Sequence, residues 1–138
     1  MARVADICAR EGLWFHVDAA FGIGALFSPA HRHRAEAMGR ADSVAFDFHK
    51  WFQVPYDAGI ALIRNESAHY AAFSARKEYL ATAERGLAAG EPWFCDYGPE
   101  LSRTFRALKV WFTFKSHGLE GLGAIMRNPD MEMPERHL

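Results

Sequence analysis

Two short stretches bring together residue types that can do covalent chemistry. The first is His16-Val17-Asp18, followed by the small pair Ala19-Ala20 and then Phe21-Gly22. The second is Asp47-Phe48-His49-Lys50, followed by Trp51. A desolvated lysine adds to an aldehyde as a Schiff base, and a carboxylate against a pyridine nitrogen keeps that ring protonated and electron-withdrawing. An acid and a lysine, with small residues that let a flat ring approach the backbone, therefore suit a pyridoxal phosphate site. The same spacing also suits a buried ion pair, or two surface charges that never meet. From spacing alone these plainer readings come first.

Other chemistry-bearing residues have plainer readings too. His31-Arg32-His33-Arg34 carries no carboxylate or cysteine at ligand spacing, so a solvated helix face explains it better than a metal or phosphate patch. His16 and Asp18 are two apart and face the same side of a strand, but no third ligand follows them, and no metal is expected. Cys8 and Cys95, 87 positions apart, make no metal-type pair. Trp14, Trp51, Trp93 and Trp111 read most simply as core or interface residues.

The chemistry needs elements to position it. Leu13-Trp14-Phe15-His16-Val17 is a short, nearly all-apolar run, as for a strand buried on both faces. Val44 and Phe46 alternate within Ser43 to Asp47, and Gly59 to Ile63 is a third strand candidate. Helical patterns cover 2–11, with Val4, Ile7 and Cys8 on one stripe and Gly12 as the stop, and also 30–38 and 66–73. A better helix runs from Leu101 to Ser116, with Leu101, Phe105, Leu108 and Phe112 on its stripe. Gly118 stops it, and Leu119, Leu122 and Ile125 suggest one more helix. Strands alternating with helices predict an α/β sheet that is at least partly parallel. In such sheets ligands gather beyond the carboxyl ends of strands, where Asp18 and Lys50 stand. The 32 residues between them leave room for a crossover. Residues 74–100 form the longest irregular stretch, a length that marks a functional or mobile loop.

Composition narrows the function class. With 138 residues, half of them apolar, the chain fits one domain or a piece of a larger one. Sixteen Lys and Arg against 17 Asp and Glu leave no basic excess for nucleic-acid binding. No apolar run reaches the length of a membrane span, and Met1-Ala2-Arg3-Val4 begins no secretory signal. A cytoplasmic setting is the simplest expectation.

Several blocks in order carry a resemblance: His16-Val17-Asp18-Ala19-Ala20-Phe21-Gly22, Ala41-Asp42-Ser43, and His49-Lys50-Trp51 with Pro55 and Gly59. Phe105 to Phe112 and Gly118-Leu119-Glu120-Gly121-Leu122 continue it. The chain resembles the group II pyridoxal-phosphate-dependent amino-acid decarboxylases, which include aromatic-L-amino-acid, histidine and glutamate decarboxylases. The resemblance implies part of the large domain of a fold-type-I enzyme, an incomplete α/β sheet with flanking helices. It implies pyridoxal 5'-phosphate as cofactor, a small amino acid as substrate and a homodimer for the full-length family. Lys50 matches the lysine that holds the cofactor as internal aldimine. Asp18 matches the carboxylate on the pyridinium nitrogen, Ala20 the small residue against the ring, and His49 the histidine near the phosphate. His16, on the same strand face as Asp18, is counted with the cofactor-binding residues. Tyr79 falls where the family has a tyrosine on its flexible catalytic loop. An aromatic amino acid is the first substrate expectation, because the helix around Trp111 looks most like that branch; glutamate or diaminobutyrate stay open.

The chain departs from the family in two respects. Animal-type members usually carry Asn where this chain has Asp47, and a carboxylate repels a phosphate unless protonated or turned away. Family members are also much longer, with an upstream Gly/Ser-rich turn that cradles the phosphate and a small C-terminal domain. Residues 1–128 are accordingly expected to be a fragment of the cofactor-binding large domain, inactive alone, with 129–138 as an irregular tail. An aminotransferase of the same fold type, or a non-catalytic relic, are the alternatives.

Overall fold

A computed structural model describes residues 1–74, 84–86, 89–90 and 92–126, with the backbone alone at 125–126. The chain divides into two compact units, Met1–Leu62 with Phe105–Leu138, and Ile63–Thr104.

The first unit opens with helix α1, Ala2–Glu11. Gly12 ends it in the left-handed conformation, φ 65°, which costs glycine nothing and lets its N–H return to the Cys8 carbonyl. The helix buries Ala5 and Cys8, whereas Val4 and Ile7 of the expected stripe stay half exposed. Strands β1 (His16–Asp18) and β2 (Ser43–Asp47) follow, paired in parallel with His16 opposite Ser43 and Asp18 opposite Ala45. Strand β3, Gly59–Ile63, completes a sheet in the order β1-β2-β3. The parallel pair and the bounds of β2 and β3 match the sequence reading.

Strand β1 differs from that reading. It is buried on one face, not two: Phe15, Val17 and Ala19 lie in the core, while Trp14, His16 and Asp18 alternate on the open face. The period of two explains it, since the polar residues at 16 and 18 put every even position on the side that bears the chemistry.

The crossover from β1 to β2 runs through a 3-10 helix at Gly22–Phe27, helix α2 at Arg32–Ala35 and a second 3-10 helix at Glu36–Arg40. The sequence reading expected one helix over 30–38. No side chain caps the start of α2, and its four residues pass into 3-10 turns ahead of Ala41.

Helix α4, Arg106–Met126, breaks at Gly118, whose φ of 66° and ψ of 167° are not helical. The stop and the further helix were legible; the start at Arg106 instead of Leu101 was not. The face that packs also differs. Val110, Phe114 and Leu122 join the core, while Phe105 precedes the helix and Leu108 and Phe112 stay exposed. The core selects Phe114 because it stacks on Phe52 and meets the edge of Phe48, each at 5.7 Å between ring centroids. Phe52 also touches Phe27, Phe46 and Phe48, so it ties the turn after β2 into the core.

The second unit contains helix α3, Glu66–Phe73. Asn65 caps it, its side-chain oxygen accepting from the Ala68 N–H at 2.9 Å. Tyr97, in a 3-10 helix at Phe94–Tyr97, donates to Glu66 Oε1 and packs edge-on against His69. The stretch read as irregular, 74–100, thus holds a short 3-10 helix. Tyr79 and the tail at 129–138 lie outside the described residues. Among the described residues no helix is long and apolar enough to cross a membrane.

Candidate active site

The parallel pairing sets Asp18 at the exit of β1 and the turn Phe48-His49-Lys50-Trp51 just past the exit of β2. Two backbone bonds lock that turn. Phe48 N–H donates to the Ala58 carbonyl at 2.8 Å, and Val54 N–H donates to the Phe48 carbonyl at 3.2 Å.

Lys50 Nζ lies 2.7 Å from Asp47 Oδ2 and 4.7 Å from the centre of the Phe21 ring. Phe21 is only three residues past Asp18, so the amine reaches the loop that leaves β1. The ammonium sits between a carboxylate and an aromatic face, each of which attracts it. Trp51 meets Phe21 edge-on at 6.2 Å and presses on the Gly24 backbone, where a Cβ would collide with its ring. Glycine is required there by close approach.

Asp18 is fixed locally. Its Oδ1 accepts from the Ala20 N–H at 3.0 Å, and Ala19 N–H crosses to the Ala45 carbonyl at 2.7 Å. The carboxylate stays exposed, and Ala20 beside it presents only a methyl group. His49 is nearly enclosed, with 12% of its side chain exposed, and its Nδ1 accepts the Ala58 N–H at 3.0 Å. A backbone N–H can only donate, so the proton of the neutral ring sits on Nε2. That nitrogen is 4.0 Å from Asp47 Oδ1, and the ring packs on Tyr56 at 4.4 Å. Asp47 therefore turns its carboxylate to Lys50 and His49. His16, on the Asp18 face, has Nδ1 2.8 Å from Ser43 Oγ.

Lys50, Asp18, Ala20, His49 and His16 all come from the two stretches singled out by residue type. Sequence reasoning missed Phe21, which seats the amine, and Ser43, which holds His16. Ser43 had a signal: in a parallel pair it stands opposite His16. The plainer reading, a buried ion pair of Asp18 with Lys50, is not what the structure shows: Lys50 pairs with the partly exposed carboxylate of Asp47. Among the described residues no group of three His, Cys, Asp or Glu is placed to hold a metal ion. An open cleft lined by Cys8, Leu13, Trp14 and Asp42 lies by the entry end of the strands, away from Lys50.

Comparison with known proteins bears on the family and the fold. Residues 1–135 match the pyridoxal-dependent decarboxylase conserved domain. The aromatic-L-amino-acid decarboxylase of Bacillus atrophaeus is 41% identical over 117 residues, which is 85% of this chain and 24% of that relative. The histidine decarboxylase of Drosophila melanogaster is 38% identical, over 88% of this chain and 14% of its own length. The crystal structure of Oryza sativa TDC with PLP and tryptamine superposes with a TM-score of 0.75 at 28% identity, over 89% of this chain and 25% of that one. The chain spans about a quarter or less of the length of these relatives. A family match over nearly the whole sequence, together with a lysine and a carboxylate at the exits of two parallel strands, places the chain in the pyridoxal-dependent decarboxylase family.

Proposed function

We propose that this chain is the cofactor-anchoring part of a pyridoxal-phosphate-dependent amino-acid decarboxylase, a carboxy-lyase, with residues 1–128 belonging to its large domain. One observation carries the reading: the Lys50 amine lies over Phe21, three residues beyond Asp18, at the exits of two parallel strands. The donor set fits pyridoxal phosphate. An amine suits its aldehyde, an exposed carboxylate its ring nitrogen, and the methyl of Ala20 leaves room for a flat ring. When bound, the cofactor supplies an electron sink for the pair left behind as the carbon–carboxylate bond breaks.

The chain's own residues do the rest. Lys50, deprotonated and released from Asp47, would hold the cofactor through Nζ, with the aldehyde oxygen leaving as water. Asp18 would keep a proton on the ring nitrogen, and Ala20 would leave space for the ring. His49, with Nδ1 engaged by the Ala58 N–H, offers Nε2–H as a donor near the phosphate. His16 contributes from the same face as Asp18. Tyr79, outside the described residues, returns a proton to carbon from its hydroxyl. The substrate is a small amino acid, aromatic by the likeness around Trp111, and the longer protein works in the cytoplasm as a homodimer.

Borohydride reduction in the presence of pyridoxal phosphate, followed by peptide mapping, tests the assignment. The label is expected on Lys50, and a label on Lys77, Lys109 or Lys115 instead would overturn it. The isolated 138-residue chain is expected to bind the cofactor weakly, to associate through exposed apolar side chains such as Leu108 and Phe112, and to release no carbon dioxide. Enzymatic turnover by that chain alone would refute the expectation.

A further inference from the structure

A hydrogen-bonded trio stands beside the candidate site. Ser43 Oγ lies 2.8 Å from Trp14 Nε1 and 2.8 Å from His16 Nδ1. The serine is 7% exposed, and among the described residues its hydroxyl meets no partner but these two. An indole N–H donates and never accepts, so Ser43 must accept from Trp14. A buried hydroxyl proton left without an acceptor is costly, and among the described residues the acceptor it meets is His16 Nδ1.

We propose that Ser43 is a positioning residue that fixes the neutral His16 ring as the Nε2–H tautomer, with Trp14 donating to the same hydroxyl from its other side. The chain of donation runs one way, from Trp14 Nε1–H to Ser43 Oγ and from Ser43 O–H to His16 Nδ1. Register supports it, because Ser43 stands opposite His16 and Trp14 shares the His16 face of the chain. The result is a single fixed donor, Nε2–H, on the face that carries Asp18. It suits an oxygen acceptor on the bound cofactor or substrate. That last step rests on the decarboxylase reading above, while the tautomer does not.

Nitrogen NMR of the chain labelled in its histidine rings reads the tautomer directly, and spectra of sedimented protein serve if it associates. The chain has seven histidines, and His16→Gln identifies the signals of interest. At a pH where the ring is neutral, wild type is expected to show His16 wholly as Nε2–H. Ser43→Ala removes the proton donor and should release the ring into a mixture of both tautomers, with Ser43→Thr restoring the single form. Trp14→Phe leaves the Ser43 proton with the same acceptor, His16 Nδ1, and should keep the single form; the wild-type tautomer itself tests the proposal even if Ser43→Ala does not fold. A mixed population in wild type, a single Nε2–H tautomer retained in Ser43→Ala, or a mixture in Trp14→Phe would overturn the proposal. Borohydride labelling of Lys50 in the same samples reports separately on the cofactor reading.

Discussion

Gly24→Ala tests the packing that seats the lysine. Gly24 is buried within the 3-10 helix after β1, and a Cβ there would sit inside the van der Waals envelope of the Trp51 ring. Its backbone is not left-handed, so the conflict is one of space alone. Overpacking of this kind costs about 1–3 kcal/mol. Replacing glycine by alanine also removes freedom from the unfolded chain, which offsets about 0.4–1 kcal/mol. A net loss of about 1–2 kcal/mol is expected, read by urea denaturation followed by circular dichroism. Gly39→Ala is the matched control, because a Cβ there meets nothing within 4 Å. It should be neutral or slightly stabilising. If Trp51 is the obstacle, Trp51→Leu should remove most of the penalty, a coupling of about 1 kcal/mol or more in a double-mutant cycle. Trp51 also packs on Phe21, under the Lys50 amine, so borohydride trapping at Lys50 should fall in Gly24→Ala and not in Gly39→Ala. A Gly24→Ala chain within about 0.5 kcal/mol of wild type, or a penalty unchanged by Trp51→Leu, would refute the packing argument.

Three further predictions concern the site and its surroundings. In a longer chain carrying this segment, Asp18→Asn should keep the covalent link at Lys50 but lose the ring proton, slowing turnover by at least about 10²–10³, the scale of one electrostatic partner at a reacting centre. Near-normal turnover would show that another group protonates the ring. Tyr79→Phe, in the same setting, should spare cofactor capture yet slow amine formation or divert product toward aldehyde, measured as amine, aldehyde and carbon dioxide together. Asp57 has its carboxyl held below the ordinary value of 3.8, first by a backbone hydrogen bond and then, against some desolvation, by the charges of Arg106 and Lys109. Its Oδ2 accepts from Arg106 Nε at 3.0 Å. A lowered value stabilises the fold above 3.8, and that stability drains as pH falls toward the lowered value. Asp57→Asn should therefore flatten the acid limb of a pH–stability curve, and an unchanged limb would exclude this contribution.

Elements were more legible in the sequence than faces. The bounds of α1, β2, β3 and α3 follow from local signals, such as Gly12 as a left-handed stop and short apolar runs between breakers; the Asn65 cap of α3 is a local signal that the sequence reading passed over. The break in α4 at Gly118 is equally local. Which side of each element is buried is not local, and there the reading failed in β1, which is buried on one face and not two, and again in α1 and α4. In α1 Ala5 goes inward beside the expected Cys8, while Val4 and Ile7 stay half exposed. In α4 the Phe48 and Phe52 rings select Phe114, leaving Leu108 and Phe112 outside. An apolar stripe states that something can be covered, but the neighbour decides which stripe is.

The candidate site divides along the same line. Lys50, Asp18, His49 and His16 were legible because their chemistry is written in residue type, and strand order brings their exits together. What sequence could not supply is the state in which each is held. Lys50 is seated by Asp47 and Phe21, Asp18 by the Ala20 N–H, and His49 by the Ala58 N–H. In each case the holding group is a backbone donor, a ring face, or a carboxylate that residue spacing would have assigned to another task. Asp47 is the clearest example. As the neighbour of a phosphate it would be repulsive, but as the partner of Lys50 it is attractive, and the turn through Phe48 and His49 closes a 2.7 Å contact. The same carboxylate lies 4.0 Å from His49 Nε2, so one side chain orders both residues that the cofactor would meet. Aspartate at this position thus has a structural reason in this chain that needs no contact with the phosphate.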